Sequence, residues 1–245
     1  MKFGARSMKP CIFQRIADLD NLVTKSSSAQ NTKRCVVLLH GFGANFEDLA
    51  PLGEVLDPLG AFDWYFPNAP HEIPIAPGYV GRAWFPIDLQ RLQLALMQGV
   101  PEPLANEVPN GFSEASSALG RMIKELSTQY SSITVGGFSQ GSMVATDFAL
   151  SANADIDALL LLSSNMVARP RFQESLKNRL QKGKTRFKIF QSHGDRDPTL
   201  PRAGADSLYQ FWLNEGFNPE YTVFNGGHEI PFPVLEKLKT FLKAL

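Results

Sequence analysis

The chain has 245 residues, of which 44% are hydrophobic and 20% charged, and its 24 basic side chains balance 24 acidic ones. This is the composition of an ordinary globular protein, long enough for one large domain, and its neutral charge predicts neither nucleic acid nor an anionic membrane as a partner. The two cysteines, Cys11 and Cys35, are too few for a disulfide framework, and their spacing suits no metal site.

The N-terminal region carries few structural signals. It lacks the apolar run of a signal peptide, and no part of the chain approaches the ~20 consecutive apolar residues of a membrane span. We therefore expect a cytoplasmic protein without stable membrane insertion. One strand is predicted at 12–16, followed by a polar turn at 26–32.

The next element is a continuous apolar run at 35–39, typical of a strand that is covered on both faces of its sheet. It ends in the sequence HGFG at 40–43, after which Asn45 or the next residues are expected to cap a helix that runs to about residue 56. The next strand is expected at 61–66.

The regular pattern breaks down between residues 68 and 111, where seven of the 17 prolines lie. A structureless loop of this length is unusual inside a compact domain, so we expect a lid-like excursion with some helix, at about 89–97, over a functional face. The apolar side chains in this segment, among them Ile87, are suited to line a substrate pocket. The pocket residues predicted on this basis are Tyr79, Trp84 and Phe85, and Leu92 and Leu96 could enclose the same apolar slot; the alternative is that these side chains belong to the core.

Alternating strands and helices then continue to the C-terminus. The predicted strands are 133–137, 158–162, 186–192 and 220–224, and the predicted helices include 112–126, 143–150, about 172–180, a segment with Leu208, Phe211 and Trp212, and a closing helix to 245. Such alternation implies right-handed β-α-β units, hence an α/β fold with a mainly parallel sheet and helices on both faces. No internal repeat or linker is visible, so residues 1–245 are expected to form a single domain.

The sequence GFSQG at 137–141 fits G-x-S-x-G, the nucleophile elbow. In this motif a tight turn between a strand and a helix exposes a serine hydroxyl above the sheet. The alternative is a plain glycine-serine turn, but a β-branched strand precedes the motif and an apolar helical run follows it, as the elbow requires. Ser139 is therefore the candidate nucleophile.

A serine needs a general base, and the base needs an orienting acid. In the α/β-hydrolase order the acid and then the histidine follow the serine, which selects His228 from the four histidines. The loop after the strand at 186–192 offers Asp197 and Asp195. We prefer Asp197, with Asp195 as the alternative acid, and we expect His193 to hold the acid loop by hydrogen bonding.

The oxyanion of an acyl-transfer reaction needs hydrogen-bond donors that are already in place. The backbone N–H of Gln140, directly after the serine, is one candidate, and the N–H of Phe42 in the HGFG loop is the other. That loop is not a dinucleotide-binding loop, because Phe46 occupies the place of the third glycine. Metalloprotease, P-loop and clustered-cysteine motifs are also missing from the sequence, so we predict no metal and no nucleotide cofactor.

Taken together, these segments resemble the phospholipase/carboxylesterase family of α/β hydrolases, which includes the acyl-protein thioesterases. The matching segments are LLHGFGAN at 38–45, RAWF at 82–85, GGFSQG at 136–141, SHGDRDP at 192–198 and GHE at 227–229. The resemblance implies the α/β-hydrolase fold, a triad of Ser139, Asp197 and His228, and oxyanion donors at Phe42 and Gln140. It also implies activity on carboxylic esters, acyl thioesters or lysophospholipids.

Two positions depart from the family pattern. Ser142 stands where the family usually has a second glycine after the elbow, and Pro86 stands where the family has an aspartate after Trp-Phe. The second departure lies in the excursion that should shape the acyl pocket, so the resemblance does not carry over a substrate preference.

The leading hypothesis is a serine carboxylesterase that hydrolyses short- to medium-chain acyl esters or thioesters through an acyl-enzyme. One alternative is another serine hydrolase, such as a peptidase or a carbon–carbon bond hydrolase. The other is a non-catalytic binding protein with the hydrolase fold. The protein is expected to be a monomer or a homodimer.

Overall fold

A computed structural model of the protein describes residues 11–26, 33–151, 153–184 and 186–245. Ten strands lie in this part of the chain. They are β1 (Cys11–Ile16), β2 (Leu19–Thr24), β3 (Arg34–Leu39), β4 (Asp63–Pro67), β5 (His71–Ala76), β6 (Tyr79–Ala83), β7 (Ser132–Phe138), β8 (Ala158–Leu162), β9 (Lys188–Gly194) and β10 (Glu220–Phe224).

Eight of these strands form one sheet in the order β1-β2-β4-β3-β7-β8-β9-β10. The six strands from β4 to β10 in this order are parallel, while β1 and β2 pair antiparallel at one edge. Because parallel strands all end at the same side of a sheet, the loops that follow β3, β7, β9 and β10 meet there. The remaining strands, β5 and β6, form a separate antiparallel hairpin.

Helices cover both faces of the sheet. The helices are α1 (Phe46–Leu49), α2 (Pro51–Leu56), α3 (Leu89–Met97), α4 (Phe112–Leu126), α5 (Gln140–Leu150), α6 (Arg169–Gln181), α7 (Arg202–Asn214) and α8 (Phe232–Lys243). Within the described residues, none of them is both long and apolar enough to cross a membrane.

Two apolar cores result, one on each face of the sheet. In β3, Val37 belongs to the core that contains Leu119 of α4, whereas Val36 belongs to the core that contains Leu238 of α8. Successive side chains of a strand point to opposite faces, so a strand buried on both sides must be apolar throughout. This is why the run at 35–39 has no polar residue, and the predicted α/β fold with helices on both faces is confirmed.

Several local predictions need correction. The strand β2 was not predicted, nor was the β5–β6 hairpin within the excursion (residues 68–111), although α3 lies at the predicted position. The helix after Asn45 is divided in two, because Pro51 has no N–H to continue the hydrogen bonding of α1. The strands predicted at 61–66 and 186–192 begin two residues later than expected.

Two other early predictions concern residues whose structure is not described. Most of the polar turn at 26–32 lies outside the described residues, and so does the segment 1–10. Both described cysteines are free, with Cys35 buried in β3 as expected and Cys11 exposed.

Candidate active site

Ser139 lies in a strained turn between β7 and α5. Its backbone has φ 52° and ψ −121°, a left-handed conformation that is costly for a residue with a side chain. The turn also crowds its neighbours: a Cβ on Gly137 would collide with the backbone of Gly141, and a Cβ on Gly141 would collide with the carbonyl of Leu39. The two glycines of the GFSQG motif are therefore required by the geometry that the motif predicts.

Asp197 and His228 are brought together by the loops after β9 and β10. The Nδ1 of His228 lies 2.6 Å from the Oδ2 of Asp197, and the other carboxylate oxygen accepts hydrogen bonds from the N–H groups of Thr199 (2.8 Å) and Leu200 (2.9 Å). Burial acts to raise the pKa of Asp197, but the hydrogen bonds from His228 and these two N–H groups outweigh it and lower the pKa below its ordinary value. Asp197 is thus held as an anion against the imidazole.

This contact also fixes the tautomer of His228. A carboxylate accepts hydrogen bonds and does not donate them, so the Nδ1 of His228 carries the proton that points at Asp197. In the neutral ring the Nε2 then has a free lone pair. The ring itself packs against Phe138, with 4.8 Å between the ring centroids.

The neighbouring residues of the acid loop have other partners. The side chain of Asp195 contacts the backbone of the loop that carries His228: its Oδ1 accepts a hydrogen bond of 3.1 Å from the N–H of Gly226. His193 is completely buried, and its Nε2 donates to the carbonyl of Leu200 at 2.8 Å, with Asp197 at 3.4 Å. Of the two aspartates proposed from sequence, only Asp197 contacts the imidazole.

Ser139 and His228 line the same cavity, with a volume of about 180 Å³. Phe42 and Gln140, whose backbone N–H groups are the predicted oxyanion donors, lie on it as well. The rest of the wall is mainly apolar. Its apolar side chains include Ile87, Leu89, Leu92, Leu104, Met143 and Leu200.

His40 anchors the loop that carries Phe42. Its Nε2 accepts a hydrogen bond of 3.1 Å from the N–H of Ala69, so the Nδ1 is protonated and donates to the carbonyl of Gly41 at 2.7 Å. Burial lowers the pKa of His40 to about 4, which keeps the ring neutral. In a trans peptide the C=O and N–H groups point in opposite directions, so holding the Gly41 carbonyl also orients the N–H of Phe42.

The aromatic residues predicted for the pocket do not line this cavity. Trp84 and Phe85 are completely buried in the core, and Tyr79 is 48% exposed on the β5–β6 hairpin. The indole of Trp84 has a different role. Its Nε1 donates a hydrogen bond of 2.9 Å to the carbonyl of His40, which connects the excursion to the loop that carries Phe42. The aliphatic residues Ile87 and Leu92 of the excursion, which were also proposed for the pocket, do line this cavity.

Sequence reasoning also missed Ser163, which follows β8. This residue has a left-handed φ of 49°, and its hydroxyl donates to the carbonyl of Glu229, next to His228, at 3.2 Å. Nothing in the local sequence distinguishes it from any serine after a strand. Among the described residues, no three or more His, Cys, Asp and Glu side chains are grouped to hold a metal ion.

The eight-stranded, mainly parallel sheet with a strained serine between β7 and α5 defines an α/β hydrolase. The chain belongs to the phospholipase/carboxylesterase family, whose model matches residues 20–245. It is therefore a hydrolase that acts on ester bonds.

Similar proteins support this assignment. Acyl-protein thioesterase 1 of Eremothecium gossypii is 28% identical over 230 residues, which cover 89% of this chain and 91% of that protein. Acyl-protein thioesterase 1 of Saccharomyces cerevisiae is 27% identical over 232 residues, 89% of this chain and 95% of that protein.

Among solved structures, the crystal structure of esterase PE8 superimposes with a TM-score of 0.75 and 26% identity, covering 92% of this chain and 98% of that one. Acyl-protein thioesterase 2 of Zea mays has a TM-score of 0.71 at 21% identity over 91% of this chain and 97% of its own, which shows the shared fold.

Proposed function

We propose that the protein is a serine carboxylesterase with Ser139 as nucleophile, His228 as general base and Asp197 as the acid that orients it. The observation that carries this proposal is the pairing of His228 with Asp197 at 2.6 Å on the cavity that also contains the strained Ser139. A nucleophile, a base and an orienting acid are then present in one site.

In the proposed reaction the Oγ of Ser139 attacks the acyl carbonyl while the Nε2 of His228 takes the hydroxyl proton. The N–H groups of Phe42 and Gln140 bind the negative oxygen of the tetrahedral intermediate. The intermediate collapses, the alcohol or thiol leaves with the proton from His228, and an acyl-enzyme remains. Water, deprotonated by His228, then releases the carboxylic acid and restores Ser139.

The cavity favours short- to medium-chain acyl groups. Its volume of about 180 Å³ and its wall of leucine, isoleucine and methionine side chains suit an unbranched acyl chain of modest length. The names of the acyl-protein thioesterase relatives support thioesters as further substrates, and the family resemblance supports lysophospholipids.

The assignment of a carboxylesterase also implies properties of the whole protein. We propose a single domain, because one sheet carries both apolar cores of the described residues. A cytoplasmic location, the absence of a cofactor, and a monomeric or homodimeric state stay predictions.

Replacement of the nucleophile tests the mechanism. Ser139→Ala should reduce hydrolysis of p-nitrophenyl acetate by about 10⁴-fold or more, because no other group replaces the attacking oxygen. It should also abolish labelling by a fluorophosphonate probe. Ser116→Ala is a matched control, since Ser116 is buried to the same extent, at 8% exposure, but lies on α4.

The alternatives give different results in the same assay. Wild-type hydrolysis rates in Ser139→Ala would contradict the mechanism. A folded wild-type protein that neither hydrolyses esters nor reacts with the probe would favour the non-catalytic binding protein. Cleavage of peptides in preference to esters and thioesters would favour another kind of serine hydrolase.

A further inference from the structure

The side chain of Gln140 bridges two parts of the site. Its Oε1 accepts a hydrogen bond of 2.8 Å from the N–H of Trp84, and its Nε2 donates to the carbonyl of Phe85 at 2.7 Å. Gln140 is 1% exposed, and Trp84 and Phe85 are completely buried. This carboxamide therefore joins the residue next to Ser139 to the backbone of the excursion, away from water.

The bonded residues stand directly before the part of the excursion that faces the cavity. Residues 87–92, called here the cavity wall, contribute Ile87, Leu89 and Leu92 to the space next to Ser139. The position of the cavity wall relative to Ser139 thus depends on where the backbone of Trp84 and Phe85 is held.

Besides the Gln140 bonds, the cavity wall is held by Ile87, which packs against the apolar core, and by the exposed ion pair between Arg91 and Glu107. None of the residues of α3 is fully buried, so packing of that helix contributes little to its position.

The far end of the segment is anchored separately: the N–H of Arg169 donates to the carbonyl of Ala105 at 2.6 Å, and its guanidinium pairs with Glu102, also at 2.6 Å. The two ends of the segment 86–104 are therefore fixed. At the end next to Ser139 the backbone of Trp84 and Phe85 is held by the Gln140 carboxamide, together with the bond from the Trp84 indole to the carbonyl of His40.

We propose that the carboxamide of Gln140 is a positioning group that sets the distance between Ser139 and the cavity wall, and so controls how well longer acyl chains are bound. This inference rests on the proposed function, since it requires acyl transfer at Ser139. It concerns the side chain of Gln140, whereas the proposed oxyanion donor is its backbone N–H. An acetyl group is too short to reach far along the wall, while an octanoyl chain must lie against it.

The test compares acetyl and octanoyl p-nitrophenyl esters in two variants. Gln140→Met keeps the length of the side chain but removes both hydrogen bonds and leaves the N–H of Trp84 and the carbonyl of Phe85 without partners. We expect the ratio of the octanoyl kcat/KM to the acetyl kcat/KM to fall by about tenfold or more relative to wild type, mainly through a higher KM for the octanoyl ester.

Gln140→Glu adds a readout that a general loss of stability does not produce. The glutamate is isosteric, and when protonated it both accepts from Trp84 and donates to Phe85, but as a carboxylate it faces the carbonyl of Phe85 with a second acceptor. Burial raises the pKa of a carboxyl group, so the neutral form gains population as the pH falls. The ratio of the variant's octanoyl kcat/KM to that of wild type should therefore rise by about tenfold from about pH 8.5 to about pH 6. The pH series with Gln140→Glu also tests the inference if Gln140→Met does not fold.

Gln191→Met is the matched control. Gln191 is a completely buried glutamine on β9 whose Nε2 donates to the carbonyl of Ala205 at 2.8 Å, remote from the excursion in its contacts. Its replacement should change the acetyl and octanoyl kcat/KM by the same factor.

Three results would overturn the inference. They are unchanged octanoyl kinetics in Gln140→Met, equal losses on both esters in that variant, and an octanoyl ratio of Gln140→Glu that stays low at both pH values. Failure of the proposed function has a different signature, because Ser139→Ala would then retain wild-type hydrolysis of the acetyl ester.

Discussion

The site residues come from distant parts of the chain, and each lies in a loop that directly follows a strand of the parallel sheet. Ser139 follows β7 directly, Asp197 stands three residues after β9, and His228 stands four residues after β10. All three loops leave the sheet at the carboxyl ends of parallel strands, where ligand sites of such sheets lie. Polar residues at this edge therefore meet although His228 lies 89 positions after Ser139 in the chain.

The choice between the two aspartates is tested at the scale of single residues. Asp197→Asn should reduce kcat/KM for the acetyl ester by about 10³- to 10⁴-fold, because an amide no longer holds the imidazole in the productive tautomer. Asp195→Asn should stay within about threefold of wild type, since an asparagine oxygen still accepts from the N–H of Gly226. A larger loss in Asp195→Asn than in Asp197→Asn would contradict the proposed triad.

At the scale of elements, the β5–β6 hairpin supports the loop that carries Phe42. The N–H of Gly43 donates to the carbonyl of Arg82, and the N–H of Arg82 donates to the carbonyl of Ala44, both at 2.8 Å. The approach is so close that a Cβ on Gly81 would collide with the carbonyl of Gly43. A strand outside the main sheet thus takes part in shaping the site.

Two glycines of this hairpin provide a matched test. Gly81→Ala should push the hairpin away from the loop of Phe42 and so displace the proposed oxyanion donor. We expect kcat/KM for the acetyl ester to fall by about 10- to 100-fold.

In Gly78→Ala nothing lies within 4 Å of the new methyl group, and only the left-handed backbone, with φ 77°, opposes it. That variant should lose ~1 kcal/mol of stability in urea unfolding and keep its activity within about twofold. Equal activity in the two variants would show that the hairpin does not position the loop.

At the scale of the whole molecule, His40 makes stability depend on pH. Its pKa is about 4 in the folded protein against 6.5 in the unfolded chain, so between these values the unfolded state binds more protons and the free energy of unfolding falls as the pH falls. The loss from His40 alone should be ~2 kcal/mol between pH 7 and pH 5. His193, also buried with a lowered pKa, acts in the same direction.

Urea unfolding at a series of pH values from about 7 to about 5 measures this effect. Asp197 does not interfere in that window, because its lowered pKa means that its contribution is lost only below the ordinary range of an aspartate. His40→Gln should flatten the decline in the free energy of unfolding, and His71→Gln, at an exposed position on β5, should leave it unchanged. An equally steep decline in His40→Gln would disprove the assignment.

The sequence alone determined the features that depend on neighbouring residues. Apolar runs such as 35–39 and the spacing of Leu119 and its neighbours identify strands and helices because burial imposes a period of two or 3.6 residues. The GFSQG segment identifies the strained turn because only glycine fits beside it. From these local signals the alternation of elements, the mainly parallel sheet and the order of serine, acid and histidine followed.

Only the tertiary structure decided what depends on contacts between distant segments. Besides β1, the strand β2 pairs with β4, about 40 residues later in the chain, and no local pattern reveals this second pairing. Likewise an aromatic residue has the same sequence signature in a pocket and in a core. Trp84 lies in the core, where its indole N–H donates to the carbonyl of His40, and this acceptor is supplied by a distant segment of the chain. The cavity next to Ser139 is built from side chains of several segments, and its shape exists only once the sheet has brought those segments together.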